Sequence, residues 1–216
     1  MKDFDQYISS NNLHALIAEG EHEQQDFKYK ISDARKIART LSAFSNTSGG
    51  KLLVGVRDNG VIAGVKDEDD IYLLESAARV FSIPEIELVV KAHAIEGKLV
   101  WEVDVPEGLK KPYKVDEVEG HKSYIRIHDQ NMIANAVLVE MWRQEQSNDS
   151  KRPVQFSERE QRLIQYLKDY ERISTSKAAK LMQCPRNKAV NTLARLIRWE
   201  VIDWDIEEGQ FYCTLL

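Results

Sequence analysis

Residues 157–214 show three successive helical patterns followed by two short strand patterns, an order that few small folds accommodate. The first helical pattern runs from Ser157 to Tyr170 and repeats apolar residues every three to four positions. The second begins at Ser174 or Thr175, whose hydroxyl can cap a helix, and ends at Met182. Cys184-Pro185 separates it from a third helical pattern that reaches Trp199, because proline suits the first turn of a helix.

Two β-rich runs complete this segment. Val201–Trp204 and Phe211–Thr214 lie on either side of Glu207-Glu208-Gly209, and this spacing predicts a β-hairpin. Helix, helix, turn, helix and hairpin is the order of elements in a winged helix-turn-helix domain. We therefore predict such a domain over residues 154–216.

The preceding part of the chain alternates helical and strand patterns. Asp58-Asn59-Gly60 between two β-rich runs predicts a hairpin, and residues 86–105 predict another around Glu96-Gly97. Hairpins interrupted by helices favour an α+β domain over a doubly wound parallel sheet. A polar stretch that ends in proline, Gln144–Pro153, predicts a linker, so we expect one domain over residues 1–146 and a second over 154–216.

The charge is distributed unevenly between these two parts. Residues 1–150 carry 18 Lys and Arg against 26 Asp and Glu, whereas residues 151–216 carry 12 against nine. Arg172 to Trp199 contains seven basic residues and no acidic one. This asymmetry predicts a basic binding surface in the C-terminal part, although a solvated surface would show the same pattern.

In a helix-turn-helix, the second helix enters the major groove and its first residues contact base edges. Arginine and lysine suit guanine, and asparagine can pair with adenine, whereas lysines of the preceding helix would contact phosphates. The alternative is a winged helix used for protein association, since Asp203, Asp205, Glu207 and Glu208 in the hairpin would repel phosphate. The predicted nucleic-acid-binding residues are Lys177, Lys180, Arg186, Asn187, Lys188, Asn191 and Arg195.

Several other classes of protein are not indicated. Met1–Asn12 lacks the apolar core of a signal peptide, and no apolar run is long enough to span a bilayer. Cys184 and Cys213 form no disulfide framework or zinc motif, so we expect free thiols in a cytoplasmic protein. Walker and dinucleotide-binding motifs are absent, and no cofactor is expected.

The motifs of the N-terminal part resemble those of the Schlafen AlbA-type family. Glu21–Lys28 is similar to its Glu-x4-Glu-Phe-Lys signature, and Ala43–Gly60 to its most distinctive motif, Ala-Phe-x-Asn-Thr followed by a glycine-rich strand. Gly64, Lys111-Pro112-Tyr113 and Tyr124-Ile125-Arg126 follow in the family's order. The resemblance covers about residues 13–143.

This resemblance implies a DNA-binding module of the kind that prokaryotes often combine with a winged helix. The equivalent domain of animal Schlafen proteins cleaves RNA with three carboxylates, which correspond here to Glu21, Asp26 and Asp58. The family usually has glutamate at the position of Asp26. Carboxylates suit Mg²⁺ or Mn²⁺, so these three residues are the candidate catalytic and metal-binding residues of an alternative function.

Three hypotheses follow. The first is a DNA-binding transcriptional regulator, expected to be a homodimer because one winged helix contacts only a short half-site. The second is a metal-dependent endoribonuclease that acts on RNA. The third is an assembly module for which nucleic acid is irrelevant.

Overall fold

The computed structural model describes residues 10–65, 69–147 and 156–216. The chain forms two compact units, Met1–Ala134 and Asn135–Leu216. Both mix helices and strands, which agrees with the α+β class that the sequence predicts. Most of the predicted linker, from residue 148 to 153, lies outside the described residues.

The N-terminal unit contains three helices and eight strands in its described part. The helices are α1 (Ser10–Glu19), α2 (Ala34–Asn46) and α3 (Asp69–Arg79). The strands are β1 (Gln25–Lys28), β2 (Gly50–Val54), β3 (Ser82–Ile83), β4 (Val89–Ile95), β5 (Lys98–Val105), β6 (Lys114–Glu117), β7 (Gly120–Ile127) and β8 (Gln130–Ile133).

These strands form two four-stranded sheets. The first has the order β1-β2-β5-β4, in which β1 and β2 are parallel and the other pairs are antiparallel. The second has the order β3-β6-β7-β8 and is antiparallel throughout. Helix α2 connects the two parallel strands, as a crossover between parallel neighbours requires.

Helix α2 supplies the centre of the core. Asp33 caps it by accepting hydrogen bonds from the backbone N–H groups of Arg35 and Lys36. Its buried face packs against residues from both sheets, including Leu52 of the first and Val115 of the second. The opposite face of the first sheet is covered by α1, where Leu13 joins a smaller apolar cluster.

The buried side chain of Asn46 ties the end of α2 to two other segments. Its Nδ2 donates to the carbonyl oxygens of Tyr113 at 2.8 Å and Tyr124 at 2.9 Å, and its Oδ1 accepts from Tyr113 N at 2.7 Å. A buried amide satisfies backbone groups that would otherwise lack partners. The asparagine of the Ala-Phe-x-Asn-Thr motif therefore has a structural role in this chain.

The hairpin expected around Asp58-Asn59-Gly60 is reduced to a single bridge between Val56 and Ile62. Both edges of β2 are already occupied by β1 and β5, so the following chain cannot pair with it. The second expected hairpin is confirmed as β4 and β5, joined at Glu96-Gly97.

The C-terminal unit contains four helices and three strands among its described residues. The helices are α4 (Ala136–Gln146), α5 (Glu158–Tyr170), α6 (Thr175–Leu181) and α7 (Arg186–Arg198). The strands are β9 (Arg172–Ser174), β10 (Ile202–Glu207) and β11 (Gln210–Leu215), which form an antiparallel sheet in the order β10-β11-β9.

Helix α4 belongs to this unit because it packs along α7. Val137, Leu138 and Trp142 are its buried residues. The predicted first domain, 1–146, includes α4, since the predicted linker follows it. The limits 1–146 and 154–216 remain predictions, and in the structure the division into compact units falls at residue 135 instead.

Candidate nucleic-acid interface

Four of the predicted cations lie exposed on α6 and the first turn of α7. Lys177 and Lys180 belong to α6, and Arg186 and Lys188 begin α7. Ser174 caps α6 by accepting a hydrogen bond from Lys177 N, and Pro185 precedes α7. The four side chains therefore lie on consecutive helices, within 12 residues of one another in the sequence.

The charges of this cluster are not neutralised locally. Lys177 Nζ lies 5.8 Å from the centre of the Tyr166 ring, and Arg186 Nη1 is 3.4 Å from Ser176 Oγ. Over the ranges 10–65, 69–147 and 156–216, none of the four cations forms an ion pair. Exposed cations without carboxylate partners produce a positive potential that attracts polyanions.

The predicted asparagines occupy a different environment on α7. Asn187 is exposed, and its Oδ1 accepts from Lys188 N at 2.8 Å. Asn191 faces α4: its backbone oxygen accepts from Gln144 Nε2 at 3.2 Å. With its nitrogen facing α4, the Asn191 side-chain amide is 3.2 Å from Glu140 Oε1. Asn191 therefore has intramolecular partners where the prediction placed a base contact.

Arg195 also has partners within the C-terminal unit. Its Nη2 donates to Glu160, and its guanidinium carbon lies 5.1 Å from the centre of the Trp199 ring. Burial opposes ionisation of Glu160, but bonds from Ser157 N–H and Arg195 lower the pKa of this carboxyl group below its usual value. Arg195 thus forms an ion pair within the C-terminal unit, and its assignment as a nucleic-acid contact stays a prediction.

A groove of about 580 Å³ lies between α7 and the start of α5. Lys188, Asn191, Thr192 and Arg195 line it on α7, and the first turn of α5 lines it opposite. Arg186 and Asn187 do not line this groove. The groove therefore begins at Lys188 in the first turn of α7 and follows the helix as far as Arg195.

The hairpin of β10 and β11 carries the four exposed carboxylates noted in the sequence. Glu207 forms an ion pair with Arg172, whose guanidinium also lies 4.9 Å from the centre of the Tyr212 ring. Arg172 is therefore partly neutralised. The hairpin therefore offers an acidic surface, in contrast to the cation cluster on α6 and the start of α7.

The three carboxylates of the alternative function do not converge. Burial and the neighbouring Asp26 carboxylate raise the pKa of Glu21, so these two residues are close. Arg126 Nη2 lies 3.2 Å from Asp26 Oδ1 and Lys28 Nζ lies 2.6 Å from its Oδ2, so Asp26 is occupied by two cations. Asp58 is exposed in the turn that Gly60 N closes onto Arg57 O at 2.7 Å.

The described residues, which include all three carboxylates, contain no group of three or more His, Cys, Asp or Glu side chains that could hold a metal ion. The predicted Mg²⁺ or Mn²⁺ site at Glu21, Asp26 and Asp58 therefore does not fit this structure. The buried Arg126 already lies beside Asp26 and neutralises its charge.

Sequence patterns did not indicate the residues of α4 that contact α7. Glu140 and Gln144 lie on α4, and Arg198 Nη1 donates to the backbone oxygen of Gln144 at 2.9 Å. The available signal was the apolar spacing of Val137, Leu138 and Trp142, which shows that α4 must be covered by something. Spacing alone does not reveal which element covers it.

None of the helices in the described part of the chain combines the length and hydrophobicity that a bilayer crossing requires.

Comparisons with known proteins identify the N-terminal unit. The family model described as Schlafen, AlbA_2 matches residues 21–135. No curated protein matches the chain by sequence. The C-terminal unit lies outside the family match except for its first residue.

Two solved structures are similar to parts of the chain, both at 20% identity. One is the DIP2311 protein from Corynebacterium diphtheriae, with a TM-score of 0.46 over 64% of this chain. The match covers only 28% of that protein. The other is the N-terminal domain of a DNA helicase RecG-related protein from Nitrosomonas europaea, with a TM-score of 0.42, covering 72% of this chain and 96% of that domain.

Proposed function

The chain belongs to the Schlafen, AlbA_2 family, and we propose that it is a DNA-binding protein whose C-terminal unit is a winged helix-turn-helix. Two features of the C-terminal unit support the assignment of a winged helix-turn-helix fold. Helices α6 and α7 are joined by the short segment from Met182 to Pro185, and a two-stranded hairpin follows α7. Strand β9 pairs with this hairpin, as expected when a winged helix closes its small sheet.

The observation that carries the proposal is the exposed cluster of Lys177, Lys180, Arg186 and Lys188. The cluster lies on the two helices of the helix-turn-helix, and no carboxylate of the described chain pairs with it. Cations in such a position release counterions when they contact phosphates, and this release supplies most of the affinity for nucleic acid.

The two helices have different roles in this proposal. Lys177 and Lys180 on α6 contact the phosphate backbone and set the orientation of the unit. The first turn of α7 enters the major groove, where Arg186 and Lys188 suit guanine and Asn187 suits adenine. The acidic hairpin stays away from the duplex because its carboxylates would be repelled by phosphates.

A regulatory role in transcription follows as the finer proposal. One helix-turn-helix covers only a short half-site, so a homodimer on two half-sites would provide the specificity that a regulator needs. We do not extend the proposal to ribonuclease activity, because Glu21, Asp26 and Asp58 form no metal site. The assembly hypothesis is less favoured, because an uncompensated cation cluster suits a polyanion.

Binding of the full-length chain to duplex DNA tests this function. Arg186→Ala with Lys188→Ala should weaken binding by about 1–3 kcal/mol for each lost guanine contact and should relax the sequence preference at those positions. Arg162→Ala with Lys168→Ala on α5 removes the same charge elsewhere in the unit and serves as the matched control. Equal binding by the two double variants would show that the cluster is not the interface.

A further inference from the structure

Strand β4 (Val89–Ile95) forms one edge of the first sheet, and in the described part of the chain no further strand pairs with its outer side. It has seven residues, whereas the other edge strands of the N-terminal unit, β1, β3 and β8, have four, two and four. Folded proteins usually keep such edges short or cover them, because an unpaired row of N–H and C=O groups pairs readily with another chain. The length of β4 therefore sets it apart from the other edges.

The strand register shows which residues turn their backbone groups away from the sheet. Along a strand, the N–H and C=O groups of successive residues point to alternate sides. Lys51 of β2 donates its N–H to Gln24 O at 2.8 Å, so Gln24 faces β2. The alternate residues of β1, Gln25 and Phe27, therefore face outward. Carried through β2 and β5, the same alternation turns three residues of β4 outward: Val90, Ala92 and Ala94.

The β1 edge of this sheet is closed by hydrogen bonds to its two outward residues. The backbone N–H of Gln25 donates to His22 O at 3.2 Å, and Gln25 O accepts from His22 N at 3.0 Å. Glu21 Oε1 accepts from Phe27 N at 2.9 Å, and Lys28 Nζ donates to Phe27 O at 2.8 Å. Each outward backbone group of β1 thus has a partner within the chain.

The β4 edge lacks these protections. Within the chain as the structure describes it, the outward N–H and C=O groups of Val90, Ala92 and Ala94 have no hydrogen-bond partner. The strand also contains no proline, a residue that commonly blunts an edge. Its single lysine, Lys91, reaches inward across the sheet to Asp104 of β5 at 2.6 Å and therefore does not guard the edge.

The outward groups of β4 are complementary to those of a second β4. When Ala92 lies opposite Ala92 of the partner subunit in an antiparallel pair, Val90 lies opposite Ala94 of the partner subunit, and all six outward groups are bonded. Val89, which is 58% exposed, then lies beside Ile95 of the partner subunit, so part of its apolar side chain is buried. A two-fold interface requires self-complementarity of this kind.

We propose that β4 is the dimerisation strand of this protein, which pairs antiparallel with β4 of a second copy and joins two four-stranded sheets into one of eight strands. The partner is a second copy because this pairing satisfies every outward group without a foreign sequence. The inference names the surface of the homodimer, and in that respect it rests on the proposed function, which calls for one. Dimer formation itself requires no DNA and is measured without it.

Cysteine cross-linking of the full-length chain tests the register. Ala92→Cys places two cysteines across the dimer axis with Cα atoms about 5.5 Å apart, within the range of a disulfide. Ala94→Cys is the matched control, because its two copies lie four residues apart along the strands, roughly 14 Å and beyond that range. Ala94 is the more exposed of the two alanines, so random collision would favour the control. Mild oxidation should therefore link Ala92→Cys chains several-fold faster than Ala94→Cys or wild-type chains.

Sedimentation of the full-length chain gives the second measurement, and wild type should be a dimer at micromolar concentration. Ala92→Pro removes one outward N–H from each copy and leaves the β5 side of the strand intact, so the dimer dissociation constant should rise about 5- to 150-fold. Ala94→Lys adds a charge at the same edge and should also weaken the dimer. Gln130→Lys adds the same charge to the edge strand β8 and should not. Circular dichroism checks that each variant is folded.

The inference is overturned if wild type is monomeric in this range, or if a dimer persists unchanged in both Ala92→Pro and Ala94→Lys. Equal cross-linking of the two cysteine variants would contradict the register in the same way. The proposed function fails separately. A dimer that depends on β4 but binds no duplex DNA leaves this inference standing and refutes DNA binding. A monomer that binds duplex DNA through Arg186 and Lys188 refutes only the role of β4.

Discussion

Arg195 on α7 donates a hydrogen bond to Glu160 on α5, a carboxylate whose side chain is only 4% exposed. The same carboxylate accepts hydrogen bonds from Ser157 N at 2.7 Å and Ser157 Oγ at 2.9 Å. One buried group thus caps α5 and connects it to α7. This link sets the orientation of the helix that carries the proposed DNA contacts.

Removal of Arg195 should therefore reduce stability. Arg195→Ala leaves a buried carboxylate without its cation, and because the arginine is partly exposed we expect a loss of about 1–3 kcal/mol in the free energy of unfolding. Urea denaturation measures the loss. Lys188→Ala, which removes an exposed cation from the same helix, should change stability by less than about 0.5 kcal/mol.

The lysines of α6 should affect DNA binding without changing its sequence preference. Lys177→Ala or Lys180→Ala removes a phosphate contact, so each should lower the salt slope of binding by about one, uniformly across sequences. Titrations at several salt concentrations with two unrelated duplexes provide the measurement. A loss confined to one duplex would mean that the lysine contacts bases.

Asn46 should be among the most sensitive positions of the N-terminal unit. Asn46→Ala leaves buried backbone groups of Tyr113 and Tyr124 unpaired, at a cost of about 3 kcal/mol or more in unfolding free energy. Asn59→Ala removes an exposed asparagine whose Oδ1 accepts from Val61 N at 3.2 Å, and should cost under about 1 kcal/mol. Similar costs for both would contradict the structural role of Asn46.

The pH dependence of stability should include a contribution from Glu117. Hydrogen bonds from Arg39 and Tyr124 lower the pKa of Glu117 to about 2 from its usual 4.5. The carboxylate is bound more tightly in the folded state, so its contribution is complete above about pH 4.5 and declines as pH falls toward 2.

Melting temperatures between pH 3 and 6, a range chosen around the ordinary carboxyl pKa of roughly 4.3, test this contribution. Glu117→Gln should be less stable than wild type at the upper end of the range. The difference should narrow as the pH decreases. A constant difference across the range would show that the ionised form of Glu117 contributes nothing.

The carboxylates of the N-terminal unit should respond to mutation as structural residues. Asp26→Asn weakens a pair with Arg126, which is 1% exposed, and should cost about 2 kcal/mol or more, whereas Asp58→Asn should be nearly neutral. Neither Mn²⁺ nor a chelator should shift the melting temperature. A rise with Mn²⁺ that disappears in Asp58→Asn would restore the metal-site hypothesis.

Residues close together in the sequence were sufficient to predict many of the helices and strands of this protein. The hydroxyl cap at Ser174, the Cys184-Pro185 break and the Glu96-Gly97 turn depend on residues close in sequence, and the helices and strands beside them form where expected. The family motif placed the N-terminal unit correctly. The cation cluster on α6 and α7 was also predictable, because consecutive short helices keep their exposed residues together.

Long-range pairing was decided by tertiary structure alone. The sequence shows that Asp26 is acidic, Arg195 basic and α4 apolar on one side, but each of these properties is compatible with several partners. Arg126 is 100 residues from Asp26, Glu160 is 35 residues from Arg195, and Gln144 is 47 residues from Asn191. A side chain's role depends on which group neutralises or covers it, and only the folded chain brings those groups together.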